Sequence, residues 1–130
     1  MPKLNGDLFH LPYQLRPSSG QLLNLLWKCM NQMLSALNYL EGLAIVHCDL
    51  KPDNILYKTE PDGKTDFILA DFGQSTTVKE SKRKGWKAGT PGYQAPEMFW
   101  GRFEDHSTKM DVFSLFVSIV EMVPGSAVYK

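Results

Sequence analysis

The sequence predicts a mainly α-helical domain carrying one small β-hairpin, an α+β class, and three segments carry that prediction. Leu22, Leu26, Met30, Met33, Leu37 and Leu40 recur at steps of three and four residues, the period of a helix with one apolar face. Two short β-prone runs flank Pro61 and Asp62-Gly63, which are strong turn formers. Val112 to Met122 is apolar on nearly every face but too short to span a bilayer, the pattern of a helix buried in a protein core.

In chain order, the first long helix covers Ser19 to Glu41, with Ser18 or Ser19 offering a capping oxygen, and ends near Gly42. Ala44-Ile45-Val46 is a short β-prone lead into His47. Ile55-Leu56-Tyr57 and Asp66 to Ala70 form the hairpin strands, joined by Thr-Glu-Pro-Asp-Gly-Lys-Thr. Pairing them would bring Asn54 and Asp71 to one edge. From Gln74 to Gln94 the chain reads as a long polar loop, because Gly85, Gly89 and Gly92 interrupt any regular element. Asp111 opens the last helix and Pro124-Gly125 stops it.

A chain of 130 residues with 14 basic and 14 acidic side chains can bury one core and offers no nucleic-acid-binding tail. Its N-terminus lacks a basic region followed by an apolar run, and no segment approaches membrane-spanning length. The expected setting is therefore intracellular, cytoplasmic or nuclear, with no nucleic-acid or membrane partner. Cys29 and Cys48 are far apart and not in a CxxC pattern, so both are expected reduced, without zinc or disulfide.

The stretch from His47 to Leu56, His-Cys-Asp-Leu-Lys-Pro-Asp-Asn-Ile-Leu, sets a carboxylate, an ammonium and an amide at fixed offsets. Phosphoryl transfer needs a proton acceptor for the incoming hydroxyl, a cation on the phosphoryl oxygens and oxygen ligands for magnesium. Asp49, Lys51 and Asn54 can supply these in order, and Asp71-Phe72-Gly73 adds a second metal-binding carboxylate. Each piece has a plainer reading: Asp49, Asn54 and Thr90 suit ordinary turns, and the cluster Lys79, Lys82, Arg83, Lys84 and Lys87 suits a solvated face. The sharper option for that cluster is a docking surface for an acidic substrate or partner. What favours the chemical reading is order: the His47 loop, the hairpin, Asp71-Phe72-Gly73, a glycine-broken loop, Gly89-Thr90-Pro91-Gly92-Tyr93-Gln94-Ala95-Pro96-Glu97, and the Asp111 helix.

That series resembles the catalytic loop, metal-binding motif and following segments of eukaryotic protein kinases, from about Gly6-Asp7-Leu8-Phe9, similar to the start of the first helix after the hinge, to about Val123. The resemblance implies that Asp49 takes or orients the substrate hydroxyl's proton, Lys51 neutralises the γ-phosphate, and Asn54 and Asp71 hold Mg2+ beside ATP. It implies Leu56 as the floor beneath adenine, His47 packed against Phe72 with Gly73 following, and Asp111 anchoring the catalytic-loop backbone. Lys51, together with Thr90 and the run to Glu97, resembles the serine/threonine-directed pattern, in which Thr90 bonds Asp49 and Lys51. The substrate is then a protein.

Cys48 stands where the family's HRD pattern has arginine, and Trp86 where many members carry the phosphorylated threonine. A Cys48–His47 nucleophilic dyad is disfavoured, since sequence neighbours point apart and no cysteine-enzyme signature surrounds them. The two departures together imply a loop not switched by phosphorylation at that position. No GxGxxG precedes His47, and the smaller lobe's lysine and glutamate have no counterpart. Residues 1–130 are thus expected to be a protein-kinase-like large lobe truncated at both ends, probing one of two roles: a serine/threonine kinase that is inactive as an isolated chain, or a non-catalytic module. The partner would be a missing small lobe or a kinase. Glu97 would lose its buried arginine, and Val117 and Val120 their cover.

Overall fold

In the computed structural model, which describes residues 4–125, the chain opens with strand β1 (Gly6–Asp7) and a short helix α1 (Leu11–Leu15). The ends of the expected 1–130 domain, residues 1–3 and 126–130, lie outside the described residues. Gly6-Asp7-Leu8-Phe9 does not begin a helix. Its backbone joins a sheet instead: Asn5 N–H donates to Tyr57 O at 2.9 Å and Leu8 N–H to Ile55 O at 2.8 Å. Backbone groups that meet an unpaired strand edge are satisfied there without helical turns. The helix starts beyond a turn in which Asp7 Oδ1 accepts the His10 N–H at 2.9 Å.

The long helix α2 (Ser19–Gly42) is capped by Ser18, whose Oγ accepts the Gln21 N–H at 3.1 Å while Gln21 Oε1 accepts the Ser18 N–H at 2.8 Å. Its buried stripe is Leu22, Leu26, Cys29, Met33 and Leu37. Cys29 takes the place expected of Met30, because a stripe stepping by seven residues over two turns drifts little and leaves Met30 and Leu40 at its border.

Strands β2 (Ile45–Val46), β3 (Ile55–Thr59), β4 (Thr65–Leu69) and β5 (Thr76–Thr77) form two small sheets, β1-β3-β4 and β2-β5, with antiparallel neighbours throughout. The hairpin strands are longer than their apolar runs: Thr59 pairs with Thr65, so only residues 60–64 turn. Lys64 N–H donates to Asp62 Oδ1 at 2.9 Å inside that turn. Ala70 has left the ladder, yet its N–H reaches Asn54 O at 2.9 Å and holds the two ends of the hairpin together. Ile55, Tyr57, Phe67 and Leu69 face the α2 stripe and share one core with it, together with Leu50, Leu115 and Met122.

The stretch from Gln74 to Gln94 is not the uninterrupted loop that its glycines suggest. Helix α3 (Val78–Lys84) lies within it. Thr77 caps it by accepting the Glu80 N–H at 3.1 Å, Glu80 pairs with Arg83 and Lys84 one turn on, and Gly85 ends it at φ 61°. Gly85 is the stop, not a break, and a Cβ there would meet the Phe103 ring at 2.8 Å.

Helix α4 (Pro96–Phe99) and helix α5 (Lys109–Met122) complete the chain. Helix α5 begins two residues before Asp111 and buries one face only, Met110, Asp111, Ser114, Leu115, Ser118 and Met122. Val112, Phe113, Phe116 and Val120 are exposed, so the helix is not buried on nearly every side. A smaller core of Val46, Ala88, Ala95, Met98 and Met110, with Cys48, Val78 and Trp86 against it, joins the α3–α4 region to α5.

Candidate active site

The site is built on the loop between β2 and β3, and α5 fixes its backbone. Asp111 Oδ2 accepts the His47 N–H at 2.7 Å and Oδ1 the Cys48 N–H at 3.1 Å. Burial pushes the Asp111 carboxyl above the ordinary carboxylate range, and the two amides, then the His47 ring, pull it back. The imidazole of His47 is fully buried and bridges two main-chain groups. Asp49 N–H donates to Nδ1 at 3.1 Å, so Nε2 carries the proton that reaches Ala70 O at 2.8 Å. Its ring also meets Phe72 edge-on, centroids 4.8 Å apart. Both ring nitrogens are engaged in scaffolding.

Asp49 collects donors from three segments. Thr90 Oγ1 donates to its Oδ1 at 2.8 Å, and Gln74 Nε2 and Asn54 Nδ2 donate to Oδ2 at 3.2 and 3.3 Å. Lys51 Nζ donates to Thr90 Oγ1 at 2.9 Å. An ammonium only donates and a carboxylate only accepts, so the threonine hydroxyl between them is polarised in one direction, from Lys51 toward Asp49. The two bonds expected of Thr90 are present.

Asn54 stands at the end of a 3-10 turn (Pro52–Asn54) and commits its Nδ2 to Asp49 O at 2.7 Å. That orients the amide and leaves its carbonyl oxygen without a protein donor among the described residues. Asp71, at φ 59°, holds Gly73 N–H on Oδ1 at 3.3 Å and is otherwise solvent-facing. The Ala70–Asn54 bond places both residues at one end of the hairpin. A carbonyl and a carboxylate are hard oxygen donors, and they fit Mg2+, which takes one or two protein ligands and completes its shell with phosphate and water. No cluster of three or more His, Cys, Asp or Glu suited to a metal occurs among the described residues, so an all-protein cage is not what this site offers.

The other expected residues are more scattered. Leu56 pairs with Ile68 across the hairpin and with Asp7 of β1, on the sheet face away from the α2 core. Glu97 presents its main-chain oxygen to Arg102 N–H at 2.8 Å and to His106 Nε2 at 3.2 Å. Its carboxylate has no ion pair among the described residues. The lysine cluster lies on α3 and just beyond it, with Lys79, Lys82, Arg83, Lys84 and Lys87 all exposed.

Cys48 adopts φ 74°, and burial pushes its thiol up to about 12, which leaves no thiolate to act as a nucleophile. Two arrangements had no signal in the sequence. Ser81 and His106, both fully buried, meet at 2.5 Å and tie α3 to the approach to α5. Gln74 reaches Asp49 on one side and Gly89 on the other, contacts that its place after Asp71-Phe72-Gly73 does not record.

No helix among the described residues is long and apolar enough to cross a membrane. The family description "Protein kinase domain" matches residues 6–130. Among similar proteins, mouse (Mus musculus) sperm motility kinase 2B is 45% identical over 94 residues, covering 72% of this chain and 18% of its own length. Serine/threonine-protein kinase dkf-1 of Caenorhabditis elegans is 32% identical over 127 residues, 97% of this chain and 17% of its own length. Serine/threonine-protein kinase SIK1 of Rattus norvegicus is 36% identical over 123 residues, 94% of this chain and 15% of its own length. This chain therefore spans less than a fifth of these relatives. On the extent of the family match, and with serine/threonine kinases among its relatives, the chain belongs to the protein kinase family.

Proposed function

We propose that the chain carries the large-lobe half of a serine/threonine kinase site, which in complete form moves the ATP γ-phosphoryl group to a protein hydroxyl. The observation that carries this reading is the Lys51–Thr90–Asp49 chain of bonds, at 2.9 and 2.8 Å. It puts a cation and a proton acceptor side by side in fixed register. Asp49 would orient the substrate hydroxyl and take its proton, and Lys51 would face the transferring phosphoryl oxygens. Asn54 and Asp71 would hold Mg2+, which when bound neutralises charge on the phosphates. Leu56 would lie beneath the adenine.

Positioning supplies most of the catalysis in phosphoryl transfer, and no glycine-rich loop precedes His47. The isolated chain is therefore expected to bind nucleotide weakly and turn over little. Calorimetry of ATP with and without Mg2+ tests the reading: weak, magnesium-dependent binding that Asp71→Asn abolishes is the expected result. Binding that ignores both magnesium and the substitution would overturn it.

A second reading is a non-catalytic interaction module, favoured by the exposed face of Val112, Phe113, Phe116 and Val120 on α5. Absence of any ATP binding, with tight capture of a kinase or a separately supplied small lobe, would favour the module. On either reading we propose an intracellular setting, cytoplasmic or nuclear, and a protein as the partner.

A further inference from the structure

We propose that Gln74 is a positioning residue that seats the segment ahead of Thr90 onto Asp49 by neutral hydrogen bonds, without a phosphate. The proposal rests on the reading of Asp49 as the proton acceptor, although the contact itself does not depend on turnover. Three bonds converge on this one residue. Its Nε2 donates to Asp49 Oδ2 at 3.2 Å, its Oε1 accepts the Gly89 N–H at 3.0 Å, and its main-chain oxygen accepts the Trp86 indole N–H at 3.1 Å. One carboxamide thereby spans the gap between the catalytic-loop carboxylate and the residue preceding Thr90, using its donor for one and its acceptor for the other.

The seat is tight. Gly89 has φ 96°, and a Cβ there would come within 2.8 Å of Cys48 O, so its backbone lies directly on the catalytic-loop backbone. The neighbouring groups are satisfied in the same neutral way: Gln94 Nε2 donates to Ala88 O at 2.8 Å, and Ala88 N–H meets Met98 Sδ at 3.4 Å. Trp86 packs with Cys48 and Val78 against the smaller core. No arginine and no hydroxyl suited to phosphate takes part in any of these contacts. Cys48 brings no cation to a phosphorylated loop, and Gln74 and Trp86 supply the ordering that such a pair would give.

The test is amide hydrogen exchange of the nucleotide-free full chain, read by NMR as protection factors, which divide out the intrinsic pH dependence of exchange. Gln74 is exposed, so its substitution leaves the fold intact, and the His47 and Cys48 amides held by Asp111 serve as the internal control. In Gln74→Leu, Gly89 protection should fall at least tenfold while the control amides keep theirs. Gln74→Met separates hydrogen bonding from space-filling, because it keeps the length and bulk of the side chain and removes both its donor and its acceptor. Gly89 protection in Gln74→Met should therefore fall at least tenfold, as in Gln74→Leu, whereas a merely space-filling role would leave it unchanged.

Unchanged Gly89 protection in Gln74→Leu or in Gln74→Met would overturn the proposal. The outcomes separate from those of the ATP experiment. Loss of Gly89 protection without magnesium-dependent ATP binding would sink the phosphoryl-transfer reading and leave the brace standing, while the opposite pair of results would do the reverse.

Discussion

Asp111 holds Cys48 in a left-handed conformation: its Oδ1 accepts the Cys48 N–H at 3.1 Å while Cys48 sits at φ 74°. A non-glycine residue there costs about 1–2 kcal/mol, and persists only where its surroundings over-determine it. The second oxygen of the same carboxylate fixes His47, so one side chain on α5 sets two consecutive peptide units, sixty-four and sixty-three residues away in sequence. Asp49 follows immediately, and its direction is inherited from that anchor.

Removing the anchor should therefore be costly. Asp111→Ala leaves one buried and one half-buried amide N–H group without an acceptor, at about 1–3 kcal/mol for the buried one and less for the other, so a loss of about 3 kcal/mol is expected. Urea denaturation measures it as a lower midpoint at unchanged slope. A loss below about 1 kcal/mol would mean that water replaces the carboxylate.

The Lys51–Thr90 bond should be energetically coupled. Thr90→Val keeps the shape and removes the hydroxyl that Lys51 and Asp49 share. In a double-mutant cycle with Lys51→Met, a coupling of about 1 kcal/mol is expected, and Thr90→Ser should restore it. Additive effects would show that the lysine and the hydroxyl act independently.

Ser81 is a structural hydroxyl rather than a modification site. It is 0% exposed and bonds His106 Nδ1 at 2.5 Å, with His106 Nε2 on Glu97 O. Since Nε2 donates to a carbonyl, Nδ1 is the acceptor and Ser81 the donor. Ser81→Ala should cost about 1–3 kcal/mol by leaving a buried nitrogen unsatisfied. Treatment of the folded chain with a promiscuous kinase should leave Ser81 unmodified; stoichiometric phosphate there at native stability would contradict this.

Alkaline pH should weaken the fold through its cysteines. Burial raises both Cys29 and Cys48 from 9.0 to about 12. Between those values the folded chain holds thiol protons that the unfolded chain has released, so stability is full below pH 9 and declines as pH rises toward 12. Each thiol contributes a slope of about 1.4 kcal/mol per pH unit at most. Denaturation midpoints across this range, compared with a Cys29→Ala variant in which the slope is shallower, measure it. Identical slopes would rule the Cys29 thiol out as a source.

Where the controlling forces are local, the sequence was legible. Ser18 or Ser19 announced the start of α2, which Ser18 caps, and Pro61, Asp62 and Gly63 announced the turn of the hairpin. The same locality misled at α3: three glycines suggested an irregular stretch, whereas Thr77 and Gly85 bracket a helix whose Ser81 is sealed by a histidine twenty-five residues on. Helix α5 was read two ways, as a buried helix from its composition and as uncovered at Val117 and Val120. Burial depends on what stands opposite: Asp111, Ser114 and Leu115 meet the core, while Phe116 and Val120 are exposed.

The sequence by itself determined the family, the order of the motifs and the identity of the side chains at the site, because carboxylates, an ammonium and an amide at set spacings are covalent facts. Tertiary structure decided what those groups touch. That Thr90 bridges Lys51 and Asp49, that Gln74 spans Asp49 and Gly89, and that Asp111 bends the chain at Cys48 are contacts closed across long separations. Such contacts form only after packing has met the entropy cost of closing the loops between them, and no local pattern of residues records which pairs will meet.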